Sequence, residues 1–91
     1  MELAFEWDEA KAVSNVAKHD VSFEEALTVF SDRRSITIYD VEHSEGEERF
    51  IDIGQAASGR LLVVVYSERG VNIRIISSRR ANAAERRQYE Q

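Results

Sequence analysis

The sequence lacks cysteine and proline, has only four glycines and contains no long hydrophobic run. Without cysteine, a disulfide framework, a thiolate metal site and a cysteine nucleophile are excluded. The longest apolar run, residues 61–66, is far shorter than the roughly 20 residues of a membrane-spanning helix. The first residues also lack the basic and apolar regions of a signal peptide. These absences predict a soluble cytoplasmic protein that does not bind a membrane.

The 91 residues have the composition of a small globular protein. Hydrophobic residues make up 43% of the chain and charged residues 32%. This composition is richer in apolar side chains than that of disordered segments. A chain of this length buries roughly 60% of its unfolded surface. We therefore expect a single domain over residues 1–91, with a core of its own.

The net charge of −5 is unevenly distributed along the chain. Residues 1–50 have a net charge of −8 and residues 51–91 a net charge of +3, and all basic residues of the second half are arginines. The planar guanidinium group of arginine can hold a phosphate or a carboxylate at two points. Two interpretations of these arginines remain open. They either lie on a solvated surface and form salt bridges with the acidic half, or they form a phosphate-binding patch on an acidic protein.

The first third of the chain predicts two short helices that meet at a corner. Asp8 has the position of an N-cap, and the first helix should end at His19-Asp20, with Asp20 in a left-handed conformation. Ser22 and Glu25 have the spacing of a capping box for the second helix. Both helices show apolar residues at helical spacing. The first stripe consists of Ala10, Val13, Val16 and Ala17, and the second of Phe23, Ala26, Leu27 and Phe30.

From residue 35 onward the pattern is typical of β-strands. Strands are predicted over residues 35–39, 49–53, 60–66 and 71–78. The third of these is apolar on both faces and should be central in the sheet; residues 3–7 can add an edge strand. Asn82 and Glu85 cap a short, polar last helix that should dock weakly. The fold class is therefore α+β: two N-terminal helices, an antiparallel sheet of about four strands and a C-terminal helix.

Most familiar catalytic motifs are absent from the sequence. There is no phosphate-binding glycine loop, no histidine pair at helical spacing and no nucleophile elbow. A metal site would have to combine His19 or His43 with loop carboxylates, which are usually just solvated, so no metal and no cofactor is expected. The remaining Arg, Lys, His, Glu and Tyr side chains suit metal-independent RNA cleavage, in which the ribose 2′-OH attacks the adjacent phosphorus.

Two features near the first helix have both a functional and a structural interpretation. Lys18 and His19 end the helix, where its dipole favours cations, and either can transfer a proton. In the structural interpretation, Lys18 is a charge that complements the helix dipole and His19 is a packed residue at the corner. Phe5 and Trp7 could stack on bases, although an aromatic pair before a helix more often belongs to a core.

Three arginines occupy unusual positions in the predicted sheet. Arg60 opens the central strand, Arg74 alternates with isoleucines in the partner strand, and Arg79 follows that strand. A half-buried arginine is costly unless it is paired. Fixed guanidinium groups could stabilise a phosphorane, whereas pairing with Asp52 or Glu24 would explain the same residues without catalysis.

Short motifs in a fixed order cover essentially the whole chain. They are Phe5-Glu6-Trp7-Asp8-Glu9, Lys11, Asn15, Lys18-His19, Val21-Ser22-Phe23-Glu24, Val29-Phe30, His43-Ser44, Glu47-Glu48-Arg49-Phe50, Ile53-Gly54, Gly59-Arg60, Leu62-Val63-Val64-Val65-Tyr66, Arg74-Ile75-Ile76-Ser77, Arg79, Glu85-Arg86 and Tyr89. This series resembles the BrnT family of toxins. It departs from the family pattern at Asp20, where glycine is usual, and at Ser78, where alanine is usual.

The resemblance implies a toxin of a type II toxin–antitoxin pair with a RelE-like fold that cleaves RNA and arrests growth. It further implies a partner antitoxin with a ribbon-helix-helix DNA-binding domain, assembled with the toxin as a dimer of heterodimers. Operator DNA would be bound only through the antitoxin, which agrees with the acidic charge of this chain.

The resemblance also implies catalytic residues at matching motif positions. These are Lys18, His19, Arg60, Arg74 and Arg79, with Tyr89 as a substrate-binding residue. We expect Arg60 and Arg79 to hold the scissile phosphate and Arg74 to orient them. Lys18 or His19 would transfer a proton or neutralise the leaving side.

Two other functional classes compete with the ribonuclease toxin. The first is a degenerate toxin, a non-catalytic module that only binds its antitoxin and tunes repression of the operon. The second is direct binding of duplex DNA, which the sequence supports poorly because it has no basic amphipathic helix.

Overall fold

The structure, a computed structural model, describes residues 3–91. Within that range the strands and helices follow in the order β1 (Ala4–Glu6), α1 (Glu9–His19), α2 (Phe23–Leu27), β2 (Ile36–Tyr39), β3 (Arg49–Gln55), β4 (Leu61–Arg69), β5 (Asn72–Arg80) and α3 (Ala83–Glu90). A 3-10 turn over Thr28–Ser31 extends α2. Among these described residues, no helix combines the length and apolarity needed to cross a bilayer.

The strands form one mixed sheet in the order β1-β5-β4-β3-β2. The central position of β4 confirms the prediction from its apolar sequence. Strands β2 to β5 are antiparallel, but β1 pairs with β5 in parallel, Ala4 opposite Asn72 and Glu6 opposite Arg74. The prediction of a purely antiparallel sheet was therefore wrong. A three-residue edge strand has no adjacent hairpin turn that would fix its partner or direction.

One face of the sheet carries the main core. Phe23 and Val29 from the α2 region pack against Leu62, Val64 and Ile75 of the two central strands, and all five are fully or almost fully buried. Burying a side chain of this size contributes roughly 1.5–3 kcal/mol. This face, covered by α1 and α2, is termed the core face.

Aromatic side chains continue the core towards β1. The ring centroids of Phe5 and Phe30 lie 5.2 Å apart, and those of Trp7 and Phe23 lie 5.8 Å apart in an edge-to-face arrangement. Such geometry adds roughly 0.5–1.5 kcal/mol per pair to the area they bury. The structure therefore places Phe5 and Trp7 in the core rather than on a base-stacking surface.

The opposite face of the sheet, termed the open face, is covered at one end by α3. Ile53, Leu61 and Val63 are buried there beneath Ala81 and Tyr89. A β-bulge at Ile76 shifts the register of β5 between its pairs Tyr66–Ile75 and Val65–Ser77. Residues five apart on a regular strand point to opposite faces, but the extra residue places Arg79 on the same face as Arg74.

Helix α1 does not bury the stripe that its sequence predicted. Val13 is 70% exposed and Val16 46%, whereas Asn15 is buried against β5. The stripe prediction was wrong because the Asn15 side chain bonds to strand and corner backbone, and this orients the helix. The Asn15 amide donates to the carbonyls of Ser78 and Val21, both at 2.8 Å, and accepts from the Ser78 N–H at 3.1 Å.

The helix ends confirm the predicted caps, with one exception. Asp8 accepts from the Lys11 N–H, and Asp20 ends α1 at φ 57°, ψ 37°. Asn82 and Glu85 form a complete capping box. At α2 only half of the predicted box forms, because Ser22 accepts from the Glu25 N–H while the Glu25 carboxylate pairs with an arginine instead.

Gly54 provides a test of packing between β3 and the 3-10 turn. A Cβ atom at this position would lie 2.7 Å from Cγ1 of Val29 and 2.9 Å from Cβ of Ser35. We expect Gly54→Ala to lower the free energy of unfolding by about 1–3 kcal/mol, measured by urea denaturation. Adding Val29→Ala removes the closest contact, so the double variant should lose less than the sum of the single losses. An unchanged urea midpoint in Gly54→Ala would contradict this packing.

Candidate active site on the open face of the sheet

A concave pocket of about 340 Å³ lies on the open face beside α3. Its floor is aliphatic and its rim is polar. The floor consists of Ile38, Ile51, Ile53, Val63 and Val65, and the rim of His19, Ser77, Ser78, Arg79, Glu85 and Gln88. The pocket therefore joins the end of α1, the end of β5 and the exposed edge of α3.

Arg79 is the guanidinium group that reaches this pocket. Its Nη1 and Nη2 each donate to a different carboxylate oxygen of Glu85 at 2.8 Å, and Nη1 also donates to the Arg80 carbonyl at 3.2 Å. These hydrogen bonds lower the pKa of Glu85 below its usual range. The Arg79 side chain is 43% exposed, so a second anion can approach it from solvent.

The end of α1 brings two further predicted residues to the same region. His19 lines the pocket of Arg79, and it also lines a smaller neighbouring depression together with Lys18 and Ser77. The hydrogen bonds of Asn15 to Ser78 fix α1 against β5 one residue before Arg79. His19 and Arg79 therefore line one pocket, and Lys18 lines the depression that shares His19 with it.

Arg60 lies outside this pocket. Its Nε donates to Glu25 Oε2 at 2.8 Å, and its Nη2 bonds to the other Glu25 oxygen and to the Asp20 carbonyl. The hydrogen bonds from Arg60 lower the pKa of Glu25. The Arg60 side chain thus links β4 to the corner between α1 and α2 on the core-face side. Its position contradicts the expectation that Arg60 and Arg79 hold one phosphate.

Arg74 is also separated from Arg79, at the β1 end of β5. Its Nη1 donates to Glu6 Oε2 at 3.2 Å. The three arginines thus have three different carboxylate partners, Glu6, Glu25 and Glu85, and neither Asp52 nor Glu24 pairs with them in the described structure. The predicted convergence of all three on one phosphodiester is not found, because their strand positions direct Arg60 and Arg74 elsewhere.

Tyr89 anchors α3 rather than facing the pocket. Its ring packs against the buried residues of the open face, and its hydroxyl donates to Asp32 Oδ2 at 2.6 Å. Burial opposes ionisation of Asp32, but hydrogen bonds from the Gln55 N–H and the Tyr89 hydroxyl lower its pKa overall. The Arg34 guanidinium lies 5.8 Å from the centre of the Tyr89 ring. Helix α3 is therefore attached more firmly than its polar sequence suggested.

A buried carboxyl group lies on the other side of the sheet. Asp52 is 3% exposed on the core face, lies opposite Thr37 and accepts a hydrogen bond from the hydroxyl of Tyr66 at 2.9 Å. Burial raises the pKa of Asp52, because the loss of solvation outweighs the stabilisation by the neighbouring hydroxyl groups. Burial and the Asp52 charge in turn raise the pKa of Tyr66. This network packs the β2 edge and does not reach the pocket.

The raised pKa of Asp52 gives a prediction about stability. We expect Asp52→Asn to raise the free energy of unfolding by about 1 kcal/mol at pH 7, since the amide needs no ionised group in the core. The folded-state pKa lies above the unfolded value, so wild type should regain stability relative to the variant as the pH falls towards the raised pKa of Asp52. Urea denaturation of both proteins at pH 7 and at a series of lower pH values measures this. A variant less stable than wild type at pH 7 would contradict it.

Asn15 and Glu85 were among the motif residues of the sequence, but neither was predicted to position this site. Asn15 fixes α1 to β5, and Glu85 both caps α3 and holds Arg79. The spacing of Glu85 from Asn82 predicted its role as a helix cap, but its bond to Arg79 is visible only in the three-dimensional structure. Within residues 3–91, no group of three or more metal-binding side chains is arranged to hold an ion.

Comparison with solved structures identifies the class of fold. The structure superimposes on the ribonuclease toxin BrnT of Brucella abortus with a TM-score of 0.70 and 23% identity, covering 89% of this chain and 99% of the other. The chain therefore has the same fold as that protein. No curated protein sequence matches the chain significantly.

The sequence itself gives the family. Residues 7–85 match the family described as the ribonuclease toxin, BrnT, of type II toxin–antitoxin systems. The chain belongs to the BrnT family, as its motifs predicted.

Proposed function

We propose that this chain cuts single-stranded RNA in the pocket of the open face, without a metal, by attack of a ribose 2′-OH on the neighbouring phosphorus. The observation that carries the proposal is that His19 and Arg79 line one pocket, with Lys18 beside it. Membership of a ribonuclease toxin family supports the reaction class.

Arg79 is the residue proposed to bind the scissile phosphate. A guanidinium group can donate two parallel hydrogen bonds to phosphate oxygens, and its charge stabilises the crowded phosphorane. In the free chain Glu85 accepts one hydrogen bond from each of Nη1 and Nη2, so a phosphate that binds both nitrogens in the same way must displace the carboxylate. Glu85 is then left beside the reacting centre, where its oxygens can accept a proton.

Lys18 and His19 are proposed to supply the remaining charge and proton transfer. The reaction requires a base for the 2′-OH and an acid for the departing 5′ oxygen. His19 is the better placed of the two, because it lines the same pocket as Arg79. The aliphatic floor beneath them excludes water from one side of the phosphate, which strengthens the interaction with Arg79. Tyr89 contributes by holding α3 in place.

The partner proposed for this surface is an antitoxin with a ribbon-helix-helix domain. The open face exposes aliphatic side chains at its β2 edge, with Ile38 39% exposed. Exposed apolar surface of this kind is typical of an interface. An antitoxin that covers the floor would block RNA, and two antitoxin chains would give a dimer of heterodimers that binds operator DNA. We also propose that the toxin acts in the cytoplasm, where its RNA substrate is found.

A non-catalytic role in antitoxin binding is the alternative. The bidentate pair of Arg79 with Glu85 favours it, because a guanidinium group held by a carboxylate is less available to phosphate. Expression of the chain without its antitoxin separates the two functions. A ribonuclease should arrest growth, whereas a binding module should be harmless.

The direct test is cleavage of RNA by the purified chain. We expect cleavage in the presence of EDTA, products that end in a 2′,3′-cyclic phosphate, and no cleavage where the ribose at the scissile linkage is replaced by deoxyribose. Cleavage that requires a divalent ion would overturn the metal-independent mechanism, and RNA left intact under all conditions would overturn the proposed activity.

A further inference from the structure

A second basic position lies on the open face. Arg49 on β3, Ser67 on β4 and Arg74 on β5 are direct partners in the register of three neighbouring strands. Side chains directly opposite each other in an antiparallel sheet share a face. Phe50, next to Arg49, packs into the core face, so Arg49 and its partners point to the open face. These three residues are termed the arginine row.

The charges of the arginine row are incompletely balanced. Arg74 donates to Glu6 through Nη1 at 3.2 Å, which leaves its other guanidinium donors available. Arg49 forms no salt bridge with any carboxylate in the described part of the chain, residues 3–91. Two guanidinium groups and one carboxylate therefore leave this row with a net positive charge, although the chain as a whole is acidic.

The hydroxyl of Ser67 lies at the centre of the row. Ser67 is fully buried, and its hydroxyl makes no hydrogen bond within the described structure. Buried hydroxyl groups nearly always have a partner. An anion held between the neighbouring guanidinium groups of Arg49 and Arg74 would provide one, once their side chains turn outward to meet it. The unsatisfied hydroxyl is thus a second sign, independent of charge, that an acceptor binds here.

The arginine row is too far from Arg79 to share one phosphate group with it. Arg79 lies opposite Val63, which lies opposite Ile53, four residues along β3 from Arg49. At a rise of roughly 3.3 Å per residue, the two positions are about 13 Å apart along the strands. The aliphatic side chains of the pocket floor lie between them, where a nucleoside can rest.

We propose that the arginine row is a second phosphate subsite, which holds a backbone phosphate of the RNA strand that is cut at Arg79. This inference rests on the proposed ribonuclease function and extends it. The ligand is single-stranded RNA long enough to place one phosphate at Arg79 and another at the row. Arg49 and Arg74 then determine which lengths of substrate bind well, without taking part in the chemical step.

Substrate length provides the test. A dinucleotide contains only the scissile phosphate, whereas a longer oligonucleotide reaches both positions. We expect Arg49→Ala to raise KM for the longer RNA about tenfold and to leave kcat/KM for the dinucleotide unchanged. Binding of an uncleavable 2′-O-methyl oligonucleotide should weaken similarly, and its dependence on the logarithm of salt concentration should fall by about 0.7 for the lost phosphate contact.

A matched control removes the same charge elsewhere. Arg80 lies on β5, as Arg74 does, but its side chain bonds to Asp20 on the core-face side, so Arg80→Ala should not change RNA binding. Arg49→Gln retains most of the side-chain stem and serves as a second variant. Circular dichroism of all variants establishes that they are folded before binding is compared.

The outcomes separate this inference from the proposed function. The second subsite is wrong if wild type binds both RNA lengths equally, or if Arg49→Ala and Arg49→Gln keep the salt and length dependence of wild type. In either case, cleavage of the dinucleotide still supports the proposed nuclease activity. If wild type cleaves nothing but binds the 2′-O-methyl oligonucleotide through Arg49, the subsite stands and the proposed catalysis is wrong.

Discussion

Replacing Arg79 by alanine should reduce kcat/KM for RNA cleavage by about 10²–10³-fold, the usual cost of removing one group that stabilises a transition-state oxyanion. The reason is the place of Arg79 in the structure: of the three arginines predicted to be catalytic, it alone lines the pocket shared with His19. Initial rates on a defined single-stranded RNA measure this effect. Expression of the variant without antitoxin should allow growth.

Three further variants sharpen the Arg79 experiment. Arg79→Lys keeps the charge but loses the planar pair of donors, so it should recover only part of the activity. Arg80→Ala removes a neighbouring charge on the opposite face and should keep wild-type rates. Arg79→Ala also frees Glu85, so a Tyr89→Phe control, which removes the hydrogen bond of α3 to Asp32 outside the pocket, shows how much activity depends on holding α3. Full activity in folded Arg79→Ala would contradict the proposed active site.

Local features of this fold were predictable because they depend on residues close together in sequence. The caps formed by Asp8, Asp20 and Asn82 each involve backbone within one helical turn, and all three were predicted correctly. The apolar sequence of β4 likewise predicted its central position, because a strand with apolar side chains on both faces needs to be covered on both faces.

Features set by distant contacts were not predictable in the same way. The stripe of Val13 and Val16 has helical spacing, yet the polar Asn15 faces the sheet because its amide satisfies the strand backbone at Ser78. The parallel pairing of β1 with β5 also joins residues that lie 68 positions apart in the sequence. Neither arrangement leaves a signal in a short window of sequence.

The candidate site was predicted in part. Residue chemistry and the family resemblance singled out Lys18, His19 and Arg79; the structure places His19 and Arg79 in one pocket and Lys18 in the depression next to it, and their catalytic roles stay a prediction. Strand alternation, however, does not reveal the bulge that sets which face Arg79 occupies. It also does not reveal that Arg60 turns towards the helices. Composition predicted the kind of side chain, while the carboxylate partner of each arginine was decided by tertiary packing.

Arg60 should behave in the opposite way to Arg79. Its guanidinium group connects β4 to Glu25 and to the Asp20 carbonyl, so Arg60→Ala leaves Glu25 without its partner at the corner of the two helices. We expect a clearly lower midpoint of thermal unfolding, together with kcat/KM within about threefold of wild type at a temperature where both proteins are folded. Thermal unfolding followed by circular dichroism and RNA cleavage at low temperature measure the two effects.

A double-variant cycle shows whether Arg60 acts through Glu25. If the pair is a structural link, Glu25→Ala should lower the unfolding midpoint as well, and the double variant should lose less than the sum of the single losses, because each single variant already removes the link. Acid should weaken the pair too: the pKa of Glu25 is lowered in the folded state, so its contribution is present at neutral pH and is lost as pH falls through that value. A large loss of kcat in stable, folded Arg60→Ala would instead assign Arg60 to the reacting phosphate.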